Sequence, residues 1–465
     1  MNGGSLIMTR NAIILAAGQG TRMKSKLPKV LHPILGQPMI EYIIKALHAN
    51  EITEKVTVIG HGADLVKETI GDQCQFVFQK EQLGTAHAVL QAESILKGKK
   101  GTTIVVAGDT PLIRPETFSA LIAYHEKAGS AATVLTANME EPFGYGRIVR
   151  DIEGEVERIV EQKDASPNEQ AITEINTATY CFDNEALFEG LQHVNNDNKQ
   201  GEYYLTDLVE IFRQAGKKVS AYVAEDAEET SGINDRVALV DATTLMKRRI
   251  NEAHLLNGVT IEDPNQTYIG PEVTIDQDVI IKPGSIISGQ THISEGSIIG
   301  PHTEIEDCHI GAFSVIRQST VFNSKIGNKA DIGPFSHIRP ETELGEQVKV
   351  GNFVEVKKST VGDNTKLAHL NYVGDATLGK NINVGCGAIT VNYDGVNKHE
   401  TIIEDDSFIG CNVNLIAPVT VEKGSIVAAG STINKNVPAD SLAIARGKQT
   451  NKEGYASKLY KKQSD

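Results

Sequence analysis

At 465 residues, with 40% hydrophobic and 23% charged residues, the chain is too long for one ordinary core and has the balance of a globular protein with two or three domains. A formal net charge of −15 weighs against nucleic acid as a partner, and no apolar window reaches the length of a membrane span. Cys74, Cys181, Cys308, Cys386 and Cys411 are odd in number, scattered and free of any C-x-x-C pair, which argues for reduced thiols in the cytoplasm and against a disulfide scaffold or structural zinc.

Residues 1–8 carry neither a basic nor a long apolar region, so they read as an unstructured extension rather than a signal peptide. From there to about residue 235, short apolar runs alternate with helical patterns. Strands are expected at Asn11–Ala17, Lys55–Ile59, Gln75–Gln79, Thr102–Ala107 and Ala132–Ala137. Helices are expected at Met39–Asn50, Ala63–Ile70, Thr85–Lys97 and Glu116–Lys127. This alternation predicts a mostly parallel sheet covered on both faces, a Rossmann-like α/β domain over 9–235. Residues 236–257 form a charged helical pattern and read as a linker helix.

Beyond residue 258 the period changes to six. Ile269, Ile275, Ile281, Ile287, Ile293, Ile299 and Ile305 keep that spacing, as do Ile326, Ile332, Ile338, Leu344, Val350 and Val356, and again Ile403, Ile409, Leu415, Val421, Val427 and Ile433. Six fits neither a helix nor an alternating strand. It fits a coil of short strands in which each repeat turns a corner and buries one aliphatic side chain. The domain is expected over 258–446; three hexads per coil, as the resemblance to hexapeptide-repeat proteins implies, would give about nine coils stacked to roughly 45 Å. One interruption is expected, between Thr390 and Thr401, where Val-Asn-Tyr-Asp-Gly-Val-Asn-Lys-His-Glu reads as a functional loop. The tail, 447–465, with Lys458, Lys461 and Lys462, reads as a frayed terminus.

The first strand runs into Gly18-Gln19-Gly20-Thr21-Arg22-Met23, followed by Pro28-Lys29. Glycines there let backbone N–H groups approach phosphate oxygens, while Arg22 and Lys29 supply charge. The third glycine of a dinucleotide fingerprint and the Gly-Lys-Ser/Thr of a Walker loop are both missing. Asp109 follows the strand Thr102–Ala107 at its carboxyl end, where ligands bind in open α/β sheets. Taken alone it reads equally well as a helix cap before Pro111 and Pro115.

The run from Leu15 through Ala16, Ala17, Gly18, Gly20, Thr21, Arg22 and Met23 to Pro28-Lys29 resembles the signature of sugar-phosphate nucleotidyltransferases, and the six-residue coils resemble hexapeptide-repeat proteins, which form left-handed parallel β-helices of three hexads per coil. The order of pieces from Leu15 to Arg446 is similar to the bacterial bifunctional UDP-N-acetylglucosamine pyrophosphorylase / glucosamine-1-phosphate N-acetyltransferase family. That resemblance implies acetyl transfer from acetyl-CoA to glucosamine 1-phosphate, then uridylyl transfer from UTP to N-acetylglucosamine 1-phosphate, a supply of precursor for peptidoglycan. It implies Mg²⁺ on Asp109 and Asn234, catalytic charges on Arg22 and Lys29, and a nucleotide-sugar site of Leu15, Ala16, Ala17, Gly18, Lys29, Gln79, Gly84, Thr85, Gly146, Glu161, Asn176 and Asn234.

For the second reaction the resemblance implies His369 as general base, with Glu355 orienting or polarising it. The remaining site residues implied are Arg339, Lys357, Tyr372, Asn383, Cys386, Asn392, Tyr393, Cys411, Ala429 and Arg446. It also implies a homotrimer through the β-helix, no membrane, and Ala and Ser where Cys386 and Cys411 stand. A non-catalytic scaffold leaves the N-terminal signature unexplained, and two further rivals are weighed against this reading. In one the β-helix only oligomerises; in the other it binds zinc as a lyase through His292, His302, His309 and His337, whose spacing shows no ligand pattern.

Overall fold

The structure is a computed structural model that describes residues 9–460; the extension expected over 1–8 lies outside them, as do Lys461 and Lys462. Two compact units meet in sequence between Met246 and Lys247. That boundary falls inside the helix Arg236–Leu256, which stands where the linker helix is expected. Its two halves have different partners. Arg236 donates to the Met23 carbonyl at 3.3 Å, whereas Asn251 Nδ2 donates to the carbonyls of Pro264 and Thr267 at 3.0 and 3.1 Å.

In the first unit a sheet runs in the order Val219–Val223, Ala132–Asn138, Glu174–Asp183, Gly101–Ala107, Thr9–Ala16, Glu54–Ile59, Gln75–Phe78. Only Glu174–Asp183 is antiparallel to its neighbours in this row. A hairpin of Gly146–Arg150 and Val156–Val160 pairs with its start. Side chains alternate along Thr9–Ala16 as a buried strand demands: Ala12, Ile14 and Ala16 enter one core, and Ile13 enters the other. The expected helix over 85–97 is broken into Thr85–Leu90 and Glu93–Leu96, while the other three stand within a residue of expectation. The strand Thr9–Ala16 has parallel neighbours on both sides, Glu54–Ile59 and Gly101–Ala107, so its carboxyl end is the point where the chain order reverses. Open α/β sheets bind ligands at that point.

The second unit is a parallel β-helix. Tyr268 and Ile269 pair with Ile286 and Ile287, 18 residues on, so one coil is three hexads. One face stacks eleven strands, from Thr260–Ile261 to Leu442–Ala443. The aliphatic ladder forms the core: Ile269, Ile293, Ile305, Ile332, Ile338, Val356, Ile409 and Val427 are all fully buried. The expectation of a single interruption is corrected by the core itself. Steps of five residues occur at Ile305–Ile310, Ile316–Val321, Val321–Ile326, Val356–Val361 and Val373–Leu378. The register absorbs each one, since His309-Ile310 still pairs with His292-Ile293 and Ser359–Val361 still pairs with Ala376–Leu378. A corner can lose a residue because only the ladder position and the rung bonds are fixed by packing.

Corners use residues at positive φ. Phe335 (φ 59°) and Phe353 (φ 58°) stack with ring centroids 5.5 Å apart, which offsets part of the backbone cost. Within the tail, Tyr455–Tyr460 is helical, with every side chain exposed. No helix among the described residues is long and apolar enough to cross a membrane. Ile338→Ala removes a fully buried rung and should cost about 2–5 kcal/mol. A chemical denaturation curve of the full chain should show the β-helix transition moved to lower denaturant, and an unmoved transition would contradict the ladder as its source of stability.

Candidate functional site

In the first unit the glycine turn, a lysine and an aspartate converge. Gly20 takes φ +60°, and a Cβ there would lie 2.6 Å from Lys29 Cβ, so glycine is what lets Lys29 fold back over the turn. Lys29 Nζ donates to Asp109 Oδ2, and to Asn234 Oδ1 at 3.2 Å. Arg22 Nη2 donates to the same Asn234 oxygen at 2.8 Å. Ile233 N donates to the Asp109 carbonyl at 2.9 Å, which fixes the Asn234 segment against the end of strand Gly101–Ala107. Asp109 is not a helix cap. The next helix, Pro115–Ala128, starts well downstream, behind Arg114.

Beside this cluster opens a cavity of about 310 Å³. Leu15, Ala16, Ala17, Gly18, Lys29, Gln79, Gly84, Thr85 and Asp109 all line it. Gln79 is buried and Nε2 donates to the Gly84 carbonyl at 3.2 Å. Gly84 (φ +116°) lies so close to Tyr203 that a Cβ would sit 2.4 Å from its carbonyl oxygen. Leu205 N donates to Thr85 Oγ1 at 3.0 Å, so segment 83–86 is clamped onto 203–205. Glu202 and Ala178 also line the cavity and were not foreseen. Ala178 stands at φ 59° where the register of Glu174–Asp183 slips between Asn176 and Tyr180, a bulge without a signature in sequence.

Gly146, Glu161 and Asn176 come together next to that bulge. A Cβ on Gly146 would meet Asn176 Cβ at 3.4 Å and Glu161 Oε1 at 3.5 Å. Asn176 Nδ2 donates to the buried Tyr180 hydroxyl at 2.7 Å, and its Oδ1 accepts from Ala178 N at 3.1 Å. Burial raises the Glu161 carboxyl above the usual range, with Asp164, Asp207 and Glu202 adding to it, while Thr206 Oγ1 donates to Oε1 at 3.4 Å. Asp207 is pushed up to about 6, first by burial and then by Glu210 and Asp164. Its folded value lies above the unfolded one, so the native state holds the extra proton and loses stability as pH rises through about 4 to 6. Asp207→Asn should therefore melt higher than the parent at pH 8 and at the same temperature near pH 3. Equal melting temperatures at pH 8 would count against the shift.

In the second unit the candidate residues lie on two faces and the corner between them. His369, Cys386, Cys411 and Ala429 each stand two residues past a ladder residue of one face, Leu367, Val384, Ile409 and Val427, in consecutive coils. They form one column along a corner. Arg446 Nη1 donates to the Ala429 carbonyl at 2.9 Å at its end. Asn383 lies on the face leading into the same corner, paired with Lys366 and Phe408.

On the next face Glu355 pairs in register with Tyr372, and Lys357 with Gly374. Arg339 Nη1 donates to Glu355 Oε1 at 2.6 Å. Lys357 lies against Lys398, whose ammonium lowers the pKa of Lys357, with burial and Arg339 adding. Lys398 was not singled out in sequence. It sits in the inserted loop, bridged to Tyr393, and completes a trio of cations with Arg339 and Lys357. Asn392 Nδ2 donates to Asp375 Oδ2 at 2.5 Å, and the Tyr393 hydroxyl donates to the Gly395 carbonyl at 2.6 Å. The partner of His369 is a correction. Its Nδ1 bonds Asn352 Oδ1 at 2.8 Å, one coil below in the same column, while Glu355 is taken by Arg339.

The comparisons follow this division. The family described as nucleotidyl transferase matches residues 11–238, and that described as bacterial transferase hexapeptide (six repeats) matches 400–435. The bifunctional protein GlmU of Halalkalibacterium halodurans is 58% identical over 449 residues, covering 97% of this chain and 99% of that protein. The chain belongs to the GlmU family. The GlmU of Oceanobacillus iheyensis is 59% identical and that of Listeria innocua 55%, each over 97% of this chain and 99% and 98% of theirs. As a GlmU enzyme the protein is a bifunctional transferase, with a nucleotidyltransferase half and a left-handed β-helical acetyltransferase half. Its β-helix is thus more than an oligomerisation device. The histidines of the zinc rival do not converge as a set: His292 and His309 stack at 5.1 Å, while His337 meets Phe322. Among the described residues, no three His, Cys, Asp or Glu side chains are placed to hold a metal.

Proposed function

We propose that the enzyme makes UDP-N-acetylglucosamine, acetylating glucosamine 1-phosphate in the β-helix and joining the product to UTP in the α/β half. The observation that carries the reading is the Lys29 ammonium held between the Asp109 carboxylate and the Asn234 carboxamide beside a nucleotide-sized cavity. Two hard oxygen donors already aimed at one cation suit Mg²⁺, which takes few protein ligands and completes its shell with phosphates. Bound there, Mg²⁺ would neutralise phosphate charge. The residues assigned to hold it are Asp109 and Asn234. Arg22 and Lys29 bind the remaining phosphate oxygens and steady the charge that develops on the leaving pyrophosphate. Backbone N–H groups of the Ala16–Gly18 turn face the phosphates, Gln79, Gly84 and Thr85 face the base, and Gly146, Glu161 and Asn176 face the sugar. The sugar phosphate is an oxyanion already, so no protein base is assigned.

In the β-helix, Arg339, Lys357 and Lys398 seat the phosphate of glucosamine 1-phosphate, with Tyr372, Asn392 and Tyr393 on the sugar. The corner of Asn383, Cys386, Cys411, Ala429 and Arg446 faces acetyl-CoA. His369 takes the proton that the amine sheds as it attacks the thioester. Working spans of 9–235 and 258–446, a cytoplasmic setting and a homotrimer through the hexapeptide repeats complete the proposal. The test supplies glucosamine 1-phosphate, acetyl-CoA, UTP and Mg²⁺ and follows products by mass spectrometry. Expected are N-acetylglucosamine 1-phosphate and UDP-N-acetylglucosamine with pyrophosphate. Consumption of UTP without the nucleotide sugar would overturn the reading.

A further inference from the structure

Three of the five thiols are sealed in cores: Cys74, Cys181 and Cys308 are buried. Burial raises the pKa of each, that of Cys308 to about 11, which keeps them out of the reactive thiolate form. Cys411 is exposed and Cys386 partly so, and these two are neighbours. Val384 and Ile409 are register partners in adjacent coils, and each cysteine follows its partner by two residues. Asn412 N donates to the Cys386 carbonyl at 2.7 Å. A Cβ on Gly385 would lie 2.6 Å from Cys411 N. The two backbones are therefore stacked at the cysteines themselves, at the roughly 4.8 Å spacing of paired strands. A disulfide needs Cα atoms roughly 4.4–6.8 Å apart and Cβ atoms roughly 3.5–4.5 Å apart. The first condition is met by the fold. The second is reached by a small approach of the two backbones at the corner.

We propose that Cys386 and Cys411 form a two-electron oxidation site, closed to a disulfide by hydroperoxides, which blocks acetyl transfer and spares uridylyl transfer. One sulfur, as thiolate, attacks the O–O bond of hydrogen peroxide. It becomes a sulfenic acid, and the hydroxide released takes up that thiol's proton as water. The second sulfur then displaces the sulfenic hydroxyl, which leaves as a second water with the second thiol's proton. Two thiols have lost two electrons and two protons, and one peroxide has become two waters. The bond pinches two coils together in the column that His369 continues, and so moves the backbone groups of the corner. Its effect on acetyl transfer rests on the proposed role of that corner; the bond itself does not.

The full chain, reduced and desalted, is treated with hydrogen peroxide, alkylated and digested with trypsin without reductant. Cys386 falls in peptide 381–398 and Cys411 in peptide 399–423, so a bridge appears as a linked pair lighter by two hydrogens than the two peptides together. Acetyl transfer should fall roughly tenfold or more as the pair forms, and return with dithiothreitol, while uridylyl transfer from N-acetylglucosamine 1-phosphate holds. Cys386→Ser and Cys411→Ser, whatever their starting rates, should keep the same fraction of acetyl transfer after peroxide as before it. Unlinked peptides after peroxide overturn the site, and so does a bridge that leaves acetyl transfer at its reduced rate. Untreated enzyme that transfers no acetyl group would sink the acetyl-transfer reading instead, with the linked pair still testing the site.

Discussion

Asp109→Asn should lower Mg²⁺-dependent uridylyl transfer by roughly 10²–10³-fold and leave acetyl transfer at the parent rate. The substitution keeps the size of the side chain and one oxygen. It removes the one negative charge in a cluster that otherwise holds Arg22, Lys29 and the neutral Asn234. Two cations and two carboxamides repel a divalent ion, so the variant should need far more Mg²⁺ for half-maximal rate. In the parent, Lys29 occupies the place between Asp109 and Asn234, the two residues that would hold Mg²⁺ on the proposed reading. Removing the carboxylate leaves Lys29 free to bind phosphate by itself. Nucleotide affinity measured without magnesium should therefore hold or rise while turnover collapses. A magnesium titration of turnover, paired with calorimetry on UTP, separates the two. A variant that keeps a tenth or more of the rate at the parent's magnesium requirement would remove Asp109 from the metal site.

The repeat of six was legible because each aliphatic rung is a separate residue pointing into one narrow core, so the spacing survives every change of surface residue. What the spacing could not carry were the steps of five, as where Val321 follows Ile316 one residue early: a corner tolerates deletion without any change in residue type. The glycine turn and Asp109 were legible as motifs, since Gly20 is required where Lys29 folds back. The bulge at Ala178 and the strand Glu174–Asp183 were not, because their partners Ala132–Asn138 and Gly101–Ala107 lie far back in the chain and the strand's direction is set by pairing rather than by local propensity. The partner of His369 is a case between the two. Asn352 lies 17 residues before it, which is one coil, so the pair becomes visible only once the coil length in that region is known.

His369→Ala should cut acetyl transfer by roughly 10²–10⁴-fold, the usual contribution of a positioned acid–base group, and leave uridylyl transfer intact. Supplying N-acetylglucosamine 1-phosphate should restore the nucleotide sugar in full. On the proposed reading, the hydrogen bond to Asn352 assigns the nitrogen that would take the proton. With Asn352 Oδ1 as acceptor, the proton sits on Nδ1, and Nε2 is left as the free base. Asn352 therefore acts by position, and its replacement should tell through the pH profile. Asn352→Asp puts a carboxylate on Nδ1, favours the imidazolium, and should move the acid limb of kcat for acetyl transfer to higher pH. Asn352→Ala should lower the rate less than His369→Ala without moving that limb as far. Glu355 is engaged by Arg339, so Glu355→Gln should weaken binding of glucosamine 1-phosphate by loosening that arginine and leave the pH limb where it was. A folded His369→Ala enzyme that acetylates at a tenth of the parent rate would hand the proton to another group, and the column would then need a different base.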